Sequence, residues 1–461
     1  MEFDENLFEK FLDLLENNKL KELKEELQEI NIADIAEFIM LVEDEKTAVK
    51  VFRILPKALS AEVFAYLDSD RQQVIIQSIS DKEIAGLMDE LFLDDAVDFL
   101  EEVPANVVRR VLANTDKETR ETINRFLKYP DNSAGSVMTV EMVELHDRLS
   151  VKEAIAHIRA TGVDKETIYT CYCIDDKRHL VGTLPLRRLL LSAEDKKIKD
   201  IMFDDEMVIS VQALDDQEEV AALAKKYDLL SVPVVDKENR LVGIITIDDI
   251  VDIIEEEATE DFERMANLTP SDDEYLKTGI FALAKNRIPW LALLLVTSTL
   301  TGYIIDSFES KLAVVAGLTA CIPMLMGTGG NSGSQVSTLV IRGLALGEIR
   351  AKDYFKVLWK EIRVSIIVGA SLAVVNALRM IILRYTPIGS DASNRVILVV
   401  SLAVFCVVIV AKIMGCSLPI VAKLLKLDPA MMTGPMMSTV VDAVSLLIYF
   451  GLANAIIDFG I

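Results

Sequence analysis

Five long apolar segments in the second half of the chain constrain its fold more than any other feature. They cover residues 288–305, 312–341, 362–384, 396–425 and 429–457. A helix needs about 17 to 25 mostly apolar residues to cross the hydrocarbon core of a bilayer. Each segment has that length, so the sequence predicts an all-α transmembrane domain with five helices within residues 277–461.

Basic residues predict how these segments are oriented. Lys285 and Arg287 precede the first segment, Arg350 and Lys352 lie between the second and third, and Lys426 lies between the fourth and fifth. Such residues mark the cytoplasmic side of a membrane, and the chain starts without the basic and apolar run of a signal peptide. We therefore expect a multi-pass protein of the cell membrane, surrounded by membrane lipid, with cytoplasmic N-terminal domains.

The charge of the chain is unevenly distributed. The net charge is −25, and residues 1–276 hold 64 Asp and Glu against 32 Lys and Arg. Binding to nucleic acid requires the opposite sign, so we expect no nucleic-acid partner. Dense carboxylates attract hard cations instead.

A lone carboxylate, Asp442, lies near the middle of the last apolar segment. Charges at bilayer depth are costly and are usually functional. Asp428 lies fourteen positions earlier, which on one helix corresponds to roughly 21 Å of rise and nearly the same face. Gly434 and Ser438 lie on the stripe of Asp442, so the sequence predicts a cation path lined by these small or oxygen-bearing groups.

The second apolar segment contains an unusual run of small and polar residues at 326–335, including Asn331 and Gln335. Small residues at membrane depth allow close helix packing, or a broken helix whose backbone carbonyls line a cavity. The amide side chains favour the second interpretation, with Asn331 lining the pore.

The soluble half predicts two domains of different class. In residues 1–130, apolar residues recur at helical spacing, and Pro56 and Pro104 separate short helices, which indicates an all-α, solenoid-like N-domain. Residues 131–252 contain a repeat, in which 180–189 is echoed by 241–250. Each copy reads as strand, helix, strand, turn, strand and helix, an α/β unit.

This repeat resembles the tandem CBS module, which often binds adenosine nucleotides. In that family a Thr-x-Asp motif after the glycine turn can hold a ribose, and Thr246 with Asp248 fits the motif. The first copy has Thr183 and Pro185 in this stretch instead. The resemblance therefore implies a cofactor site for ATP in the second copy.

An acidic connecting helix is predicted to follow, reaching from about residue 248 to residue 276 and forming its own segment at 253–276. Asp249, Asp252, Glu256 and Glu260 share one face of this helix. No Lys or Arg occurs between Asp248 and Glu263 to form stabilising pairs. We expect a cation-responsive surface.

The order of these four parts resembles the MgtE magnesium channels over nearly the whole chain. Residues 325–335, Asp428-Pro429-Ala430, Asp442 and residues 257–261 carry the resemblance. It implies a homodimer with its pore on the twofold axis, in which Asp442 selects the ion and Asp428 lies at the cytoplasmic mouth. It also implies regulatory Mg²⁺ positions at Glu62, Asp94, Asp98, Asp216, Glu218, Asp228, Asp249, Asp252, Glu257, Glu260 and Asp261.

The resulting hypothesis is a Mg²⁺-selective channel that imports magnesium and that cytosolic Mg²⁺ closes. Mg²⁺ dehydrates reluctantly, so two copies of Asp442 would hold the hydrated ion. The alternative is a carrier for another divalent cation, with a nucleotide-sensing CBS module. Intramembrane aspartyl proteolysis needs two mid-span aspartates, so we expect no enzyme, and a sensor without transport leaves Asp442 unexplained.

Overall fold

The computed structural model describes residues 5–204, 206–271, 275–276, 278–308, 317–386, 393–432 and 434–457. The chain divides into two units, residues 1–255 and 256–461, which are described separately below.

The N-terminal part of the first unit consists of short stacked helices. They are α1 (Glu5–Glu16), α2 (Leu20–Leu27), α3 (Ile32–Leu41), α4 (Glu45–Ile54), α5 (Lys57–Ala65), α6 (Ser69–Ser78), α7 (Asp81–Met88), α8 (Leu93–Glu102), α9 (Ala105–Asn114) and α10 (Lys117–Phe126). Asp44, Asp68 and Asp116 cap three of these helices by accepting hydrogen bonds from backbone N–H groups. Pro56 and Pro104 stand at the N-cap positions of α5 and α9. The predicted solenoid-like helical domain is confirmed.

Aromatic side chains fill the core of this helical stack. Phe11 packs edge to face against Phe38 with ring centroids 5.1 Å apart, and Phe64 packs against Phe99 at the same distance. All four rings are buried. Their burial supplies the apolar area that short helices, marginal in isolation, need in order to be stable.

The CBS pair follows, as two copies of one α/β unit. Its elements are β1 (Val143–His146), α11 (Val151–Thr161), β2 (Thr170–Ile174), β3 (Leu180–Pro185), α12 (Leu186–Leu190), β4 (Phe203–Asp204), β5 (Val211–Gln212), α13 (Gln217–Tyr227), β6 (Ser231–Val235) and β7 (Leu241–Thr246). In the first copy β1 pairs parallel with β2 and β2 pairs antiparallel with β3. The second copy repeats this pattern with β5, β6 and β7. The repeat inferred from the sequence is therefore a structural repeat.

The acidic connecting helix, α14 (Ile247–Met265), is shorter than predicted. Its end is a Schellman motif, in which Leu268 N donates to Glu263 O and Asn267 N donates to Arg264 O. Asn267 adopts a left-handed conformation, with φ of 56°. The prediction of a helix reaching residue 276 was wrong because this cap turns the chain after Met265.

The C-terminal region consists of long helices. They are α15 (Ile280–Asp306), α16 (Ile322–Ala345), α17 (Tyr354–Arg384), α18 (Asn394–Leu424) and α19 (Gly434–Ile456). By length and composition, four stretches of the described residues could cross a membrane: Ile280–Asp306, Ala351–Arg384, Asn394–Leu424 and Pro429–Ile456. The helix of the second predicted segment, α16, is not among them, since its small and polar residues lower its hydropathy. A helical multi-span region is confirmed, and the count of five spans stays a prediction.

Candidate cation sites

A cluster of carboxylates lies in the first unit, where the start of α8 meets the start of α14. Asp94, Asp95 and Asp98 come from α8, Asp249 from the first turn of α14, and Glu166 from the segment before β2. The sequence named Asp94, Asp98 and Asp249 as site residues, and the fold brings these three together. We call the five residues the acid cluster.

Local structure holds these acids in place despite their repulsion. Asp94 and Asp95 lie in the first turn of α8, where the helix dipole favours negative charge. The Oδ2 atom of Asp249 accepts hydrogen bonds from the backbone N–H and the hydroxyl of Thr246, at 3.2 and 2.6 Å. Asp249 is thereby fixed at the junction of β7 and α14.

The acid cluster binds protons more strongly than isolated carboxylates do. Loss of hydration is the main cause, and repulsion from neighbouring acids adds to it. Together they raise the pKa of Asp95 to about 7, that of Asp98 to about 8 and that of Glu166 to about 8. Loss of hydration also raises the pKa of Asp249 to about 6 and that of buried Asp94 well above its usual range.

No basic group balances this charge: in the described part of the chain, no Lys or Arg forms an ion pair with a member of the acid cluster. Asp95 and Glu166 were not among the predicted site residues. Asp95 could have been found beside Asp94. Glu166 carries no signal in the sequence, because only folding brings its loop to α8.

The other predicted regulatory acids of the first unit lie outside the acid cluster. Glu62 is exposed on α5. Asp216 caps α13 by accepting a hydrogen bond from Glu218 N at 2.9 Å, and Asp228 ends the same helix in a left-handed conformation. Asp252 is exposed on α14, and loss of hydration raises its pKa. No three His, Cys, Asp or Glu side chains of the described residues are arranged to hold a metal ion.

The predicted ribose-binding pair is divided between two environments. Thr246 is buried, and its hydroxyl donates to Asp249. Asp248 is exposed on the first turn of α14. In this conformation Thr246 therefore orients Asp249 of the acid cluster and is not exposed to solvent.

A second group of charged residues lies in the second unit. It includes Arg264, which was not a predicted site residue. The Arg264 guanidinium pairs with Glu260 on its own helix and with Asp428. Loss of hydration raises the pKa of Glu260 and of Asp261, and the charge of Arg264 opposes the rise. Glu257 adds repulsion to both. Arg264 was detectable as the first base after the acidic run.

Asp428 and Asp442 do not share a helix, as the sequence analysis had assumed. Pro429–Met432 form a 3₁₀ turn, and α19 begins at Gly434 with φ of 46°. The Oδ1 atom of Asp428 accepts a hydrogen bond from Ala430 N at 2.8 Å, which caps this turn. The prediction that both acids lie on one face of a single helix was therefore wrong, because Asp428 precedes the 3₁₀ turn and only Asp442 lies in α19.

Asp442 lies within α19, and one of its carboxylate oxygens is buried. Within the described residues its Oδ1 atom is buried and has no hydrogen-bond partner. Gly330 of α16 packs against Ser438, one turn before Asp442, so that a Cβ at Gly330 would collide with the Ser438 hydroxyl. The small residues of α16 thus let the two helices approach closely.

The predicted break in the second apolar segment is absent from the described residues 322–345, because α16 is continuous there. Its backbone carbonyls are used within the helix, and Gly333 packs against the backbone of α18 at Gly415. The interpretation as a carbonyl-lined wall was wrong, and close helix packing explains the glycines. Asn331 is exposed on α16.

Candidate membrane helices, one of which buries a carboxylate oxygen without a partner among the described residues, are joined to an acidic soluble half with a CBS pair. These features define a multi-pass membrane protein that handles cations. Comparisons with known proteins identify its family. The model for MgtE divalent cation transporters matches residues 322–452, that for the MgtE intracellular N domain matches residues 30–132, and the CBS model matches residues 198–256.

Full-length relatives give the same result. The chain is 34% identical to "Magnesium transporter MgtE" of Bacillus subtilis over 99% of this chain and 98% of the relative. It is 33% identical to the protein of the same name from Thermus thermophilus, over 99% of both chains. The chain belongs to the MgtE family, which consists of transporters rather than enzymes.

Two solved structures resemble the soluble half. The soluble part of a magnesium transporter is 32% identical, with a TM-score of 0.52, and the match covers 55% of this chain and 99% of that one. The cytosolic domain of the Mg²⁺ channel MgtE in complex with ATP is 33% identical, with a TM-score of 0.50, covering 53% and 98%.

Proposed function

We propose that this chain is a Mg²⁺ channel that imports magnesium as a homodimer and is closed when Mg²⁺ binds its soluble domains. Its full-length relatives are named as magnesium transporters. The observation that carries the feedback is the acid cluster, in which carboxylates from α8, α14 and the segment before β2 crowd together and form no ion pair with a base of the described residues.

The acid cluster supplies a differential affinity for cations. Without divalent ions, repulsion among its carboxylates disfavours the contact between α8 and α14. A bound Mg²⁺ neutralises that repulsion, and it can do so through its retained waters, so the carboxylates need not converge within bonding distance. An ion that binds one arrangement better shifts the population toward that arrangement.

The acids of α14 extend this feedback toward Asp428. Asp252, Glu257, Glu260 and Asp261 follow Asp249 along the helix. Glu260 is tied through Arg264 to Asp428, at the start of the last membrane segment. Mg²⁺ bound along this helix is proposed to close the mouth at Asp428. Glu62, Asp216, Glu218 and Asp228 remain proposed sites that would take part in another arrangement of the domains.

Asp442 is proposed to select the ion. Its Oδ1 atom is buried without a partner among the described residues, and a buried charge persists where a counter-ion can offset its cost. Two copies of Asp442 on the twofold axis would hold a hydrated Mg²⁺, with Gly434, Ser438 and Asn331 lining the path.

ATP is proposed as a ligand of the second CBS copy, because a related cytosolic domain is in complex with ATP. Thr246 and Asp248 would hold the ribose. The Thr246 hydroxyl donates to Asp249 here and can still accept a hydrogen bond from a ribose hydroxyl, so this pose would link nucleotide binding to the acid cluster.

The test is Mg²⁺ influx into proteoliposomes, with Mg²⁺ present or absent on the domain side. We expect the wild type to conduct and to stop when domain-side Mg²⁺ is raised. Asp442→Asn should lose the flux, while Asp353→Asn, which changes an acid that pairs with Lys356, should conduct normally. Normal Mg²⁺ flux through Asp442→Asn would refute the role of Asp442 in the pore.

The feedback is tested separately by the triple variant Asp94→Asn, Asp98→Asn and Asp249→Asn. It should conduct, and its flux should change less when domain-side Mg²⁺ is raised, because the amides neither repel one another nor bind the ion. The control is Glu121→Gln, which changes an exposed acid of α10. Unchanged closure would reject the acid cluster as the sensor.

The alternative of a carrier for another divalent cation has support in the broader name of the matching family, divalent cation transporter. Competition decides between them: abolition of Mg²⁺ uptake by Mn²⁺ or Co²⁺ at a concentration equal to that of Mg²⁺ would favour the carrier.

A further inference from the structure

A cavity of about 740 Å³ opens in the first unit between α10, the segment leading into β1, and the turns of both CBS copies. Its volume lies in the range typical of sites for small molecules, roughly 300–1,000 Å³. Neither Thr246 nor Asp248 lines it, so it is separate from the proposed ATP site.

The side chains that line this cavity include more bases than acids, unlike the surrounding part of the chain. Four bases line it, from four separate parts of the chain: Arg125, Lys165, Arg178 and Arg240. Only three acids line it, namely Glu144, Asp164 and Asp236. In residues 1–276 acids outnumber bases by two to one, so the composition of the region does not account for this excess of bases.

Two of these bases form ion pairs, and the other two form none among the described residues. Arg178 pairs with Glu144, and Arg240 pairs with Glu238 at the rim. In the part of the chain that the structure describes, Arg125 and Lys165 form no ion pair. An anion in the cavity would contact Arg125 and Lys165 directly. It could also replace Glu144 and Glu238 as the partners of Arg178 and Arg240.

The turn that carries Arg178 is held in a costly conformation. The two CBS turns pair with each other, since Leu180 N donates to Asn239 O at 3.0 Å and Leu241 N donates to Arg178 O at 3.1 Å. Asn239 has φ of 60° and Arg178 has φ of 67°. Asn adopts this left-handed conformation readily and Arg does not. Strain of this kind concentrates at functional sites, and here the strained residue, Arg178, lines the cavity.

Apolar side chains form most of the rest of the wall, beside Thr122, His157 and Thr161. Phe126 and Tyr129 pack edge to face with centroids 5.9 Å apart, and both line the cavity together with Met138, Val140 and Leu241. Such a wall accommodates a ring or another apolar group, while guanidinium groups bind phosphate oxygens in pairs.

We propose that this cavity binds a small phosphorylated molecule that carries an apolar ring. Arg125, Lys165 and Arg240 contact the phosphates, and the partly exposed Tyr129, backed by the buried Phe126, contacts the ring. The proposal rests on the cavity alone, and it stands or falls independently of Mg²⁺ transport.

The test is calorimetric titration of the full chain in detergent, without Mg²⁺, using ADP and inorganic pyrophosphate as probes. Both should bind, and ADP should bind more tightly, because only ADP also contacts the apolar wall. In the double variant Arg125→Gln and Arg240→Gln, the affinity for both probes should fall by about tenfold or more, since hydrogen bonds to charged groups are the strong ones.

Matched controls separate this site from others. Lys128→Gln removes an exposed base just beyond α10 that does not line the cavity, and Asp248→Asn alters the proposed ATP site. Neither should change pyrophosphate binding, and all variants should keep the thermal midpoint of the wild type. The proposal is overturned if neither probe binds, if the double variant binds as the wild type does, or if Asp248→Asn alone removes ADP binding.

Discussion

Arg264 changes the electrostatic environment of the acids around it. The acidic run of α14 predicts a surface open to cations, yet its last turn ends in a guanidinium that pairs with Glu260 and Asp428. Arg264 thus supplies one positive charge where the proposed function places regulatory Mg²⁺. The base reduces, but does not remove, the repulsion among Glu257, Glu260, Asp261 and Asp428.

Removing the positive charge of Arg264 should make a higher Mg²⁺ concentration necessary for closure. We expect Arg264→Gln to raise the domain-side Mg²⁺ concentration for half closure by about two- to fivefold, since partly exposed ion pairs contribute roughly 0.5–1 kcal/mol. Mg²⁺ influx into proteoliposomes measures the shift. Arg264→Lys, which keeps the charge, should restore most of the wild-type response. A lower concentration for half closure in Arg264→Gln would contradict this role.

At the scale of elements, α16 and α18 are fitted to each other through glycines. A Cβ added at Gly415 would collide with the backbone carbonyl of Gly333. Backbone cannot move aside as a flexible side chain does, and lipid provides no hydrophobic driving force to compensate for lost packing. The run of small residues in the second apolar segment is therefore explained by packing.

We expect Gly415→Ala to destabilise the membrane region by about 1–3 kcal/mol, the usual cost of overpacking. Thermal unfolding of the purified protein in detergent measures this change. The control is Gly451→Ala, because nothing lies within 4 Å of a Cβ at that position. Equal stability of the two variants would show that the helices can separate at little cost.

The periodicity of the sequence predicted the repeats and helices but not where two of the helices end or begin. The paired α/β copies and the short N-terminal helices follow from repeats and apolar spacing, and both are confirmed. The end of α14 at Met265 and the break before α19 were missed. Each depends on one residue with positive φ, Asn267 or Gly434, within a sequence that otherwise continues its pattern.

For the whole molecule, the acid cluster makes stability depend on pH. Folding raises the pKa of Asp249 to about 6, that of Asp95 to about 7, and those of Asp98 and Glu166 to about 8. Loss of hydration is the main cause in each case. An unfolded carboxyl has a pKa of about 4, so between about pH 4 and pH 8 the folded state holds protons that the unfolded chain releases. Stability therefore falls as the pH rises through this window.

In EDTA, the thermal midpoint of the full chain should fall between pH 5 and pH 8, and Mg²⁺ should restore it at pH 8. The double variant Asp94→Asn and Asp98→Asn should show a flatter pH profile and less stabilisation by Mg²⁺, with Glu121→Gln as the control. A midpoint that rises with pH in EDTA would contradict the raised pKa values.

The sequence by itself determined the classes of structure and the family. Apolar length, repeat and charge are local properties of the chain, so they identify membrane helices, the CBS pair and an acidic half that attracts cations. Only the tertiary structure decided which acids meet. Glu166 joins Asp94 and Asp249 because loops and helix starts distant in sequence converge, and repulsion and loss of hydration depend on distances that no pattern along the chain contains. The same reason explains why the basic cavity between α10 and the CBS turns becomes visible only in the folded molecule.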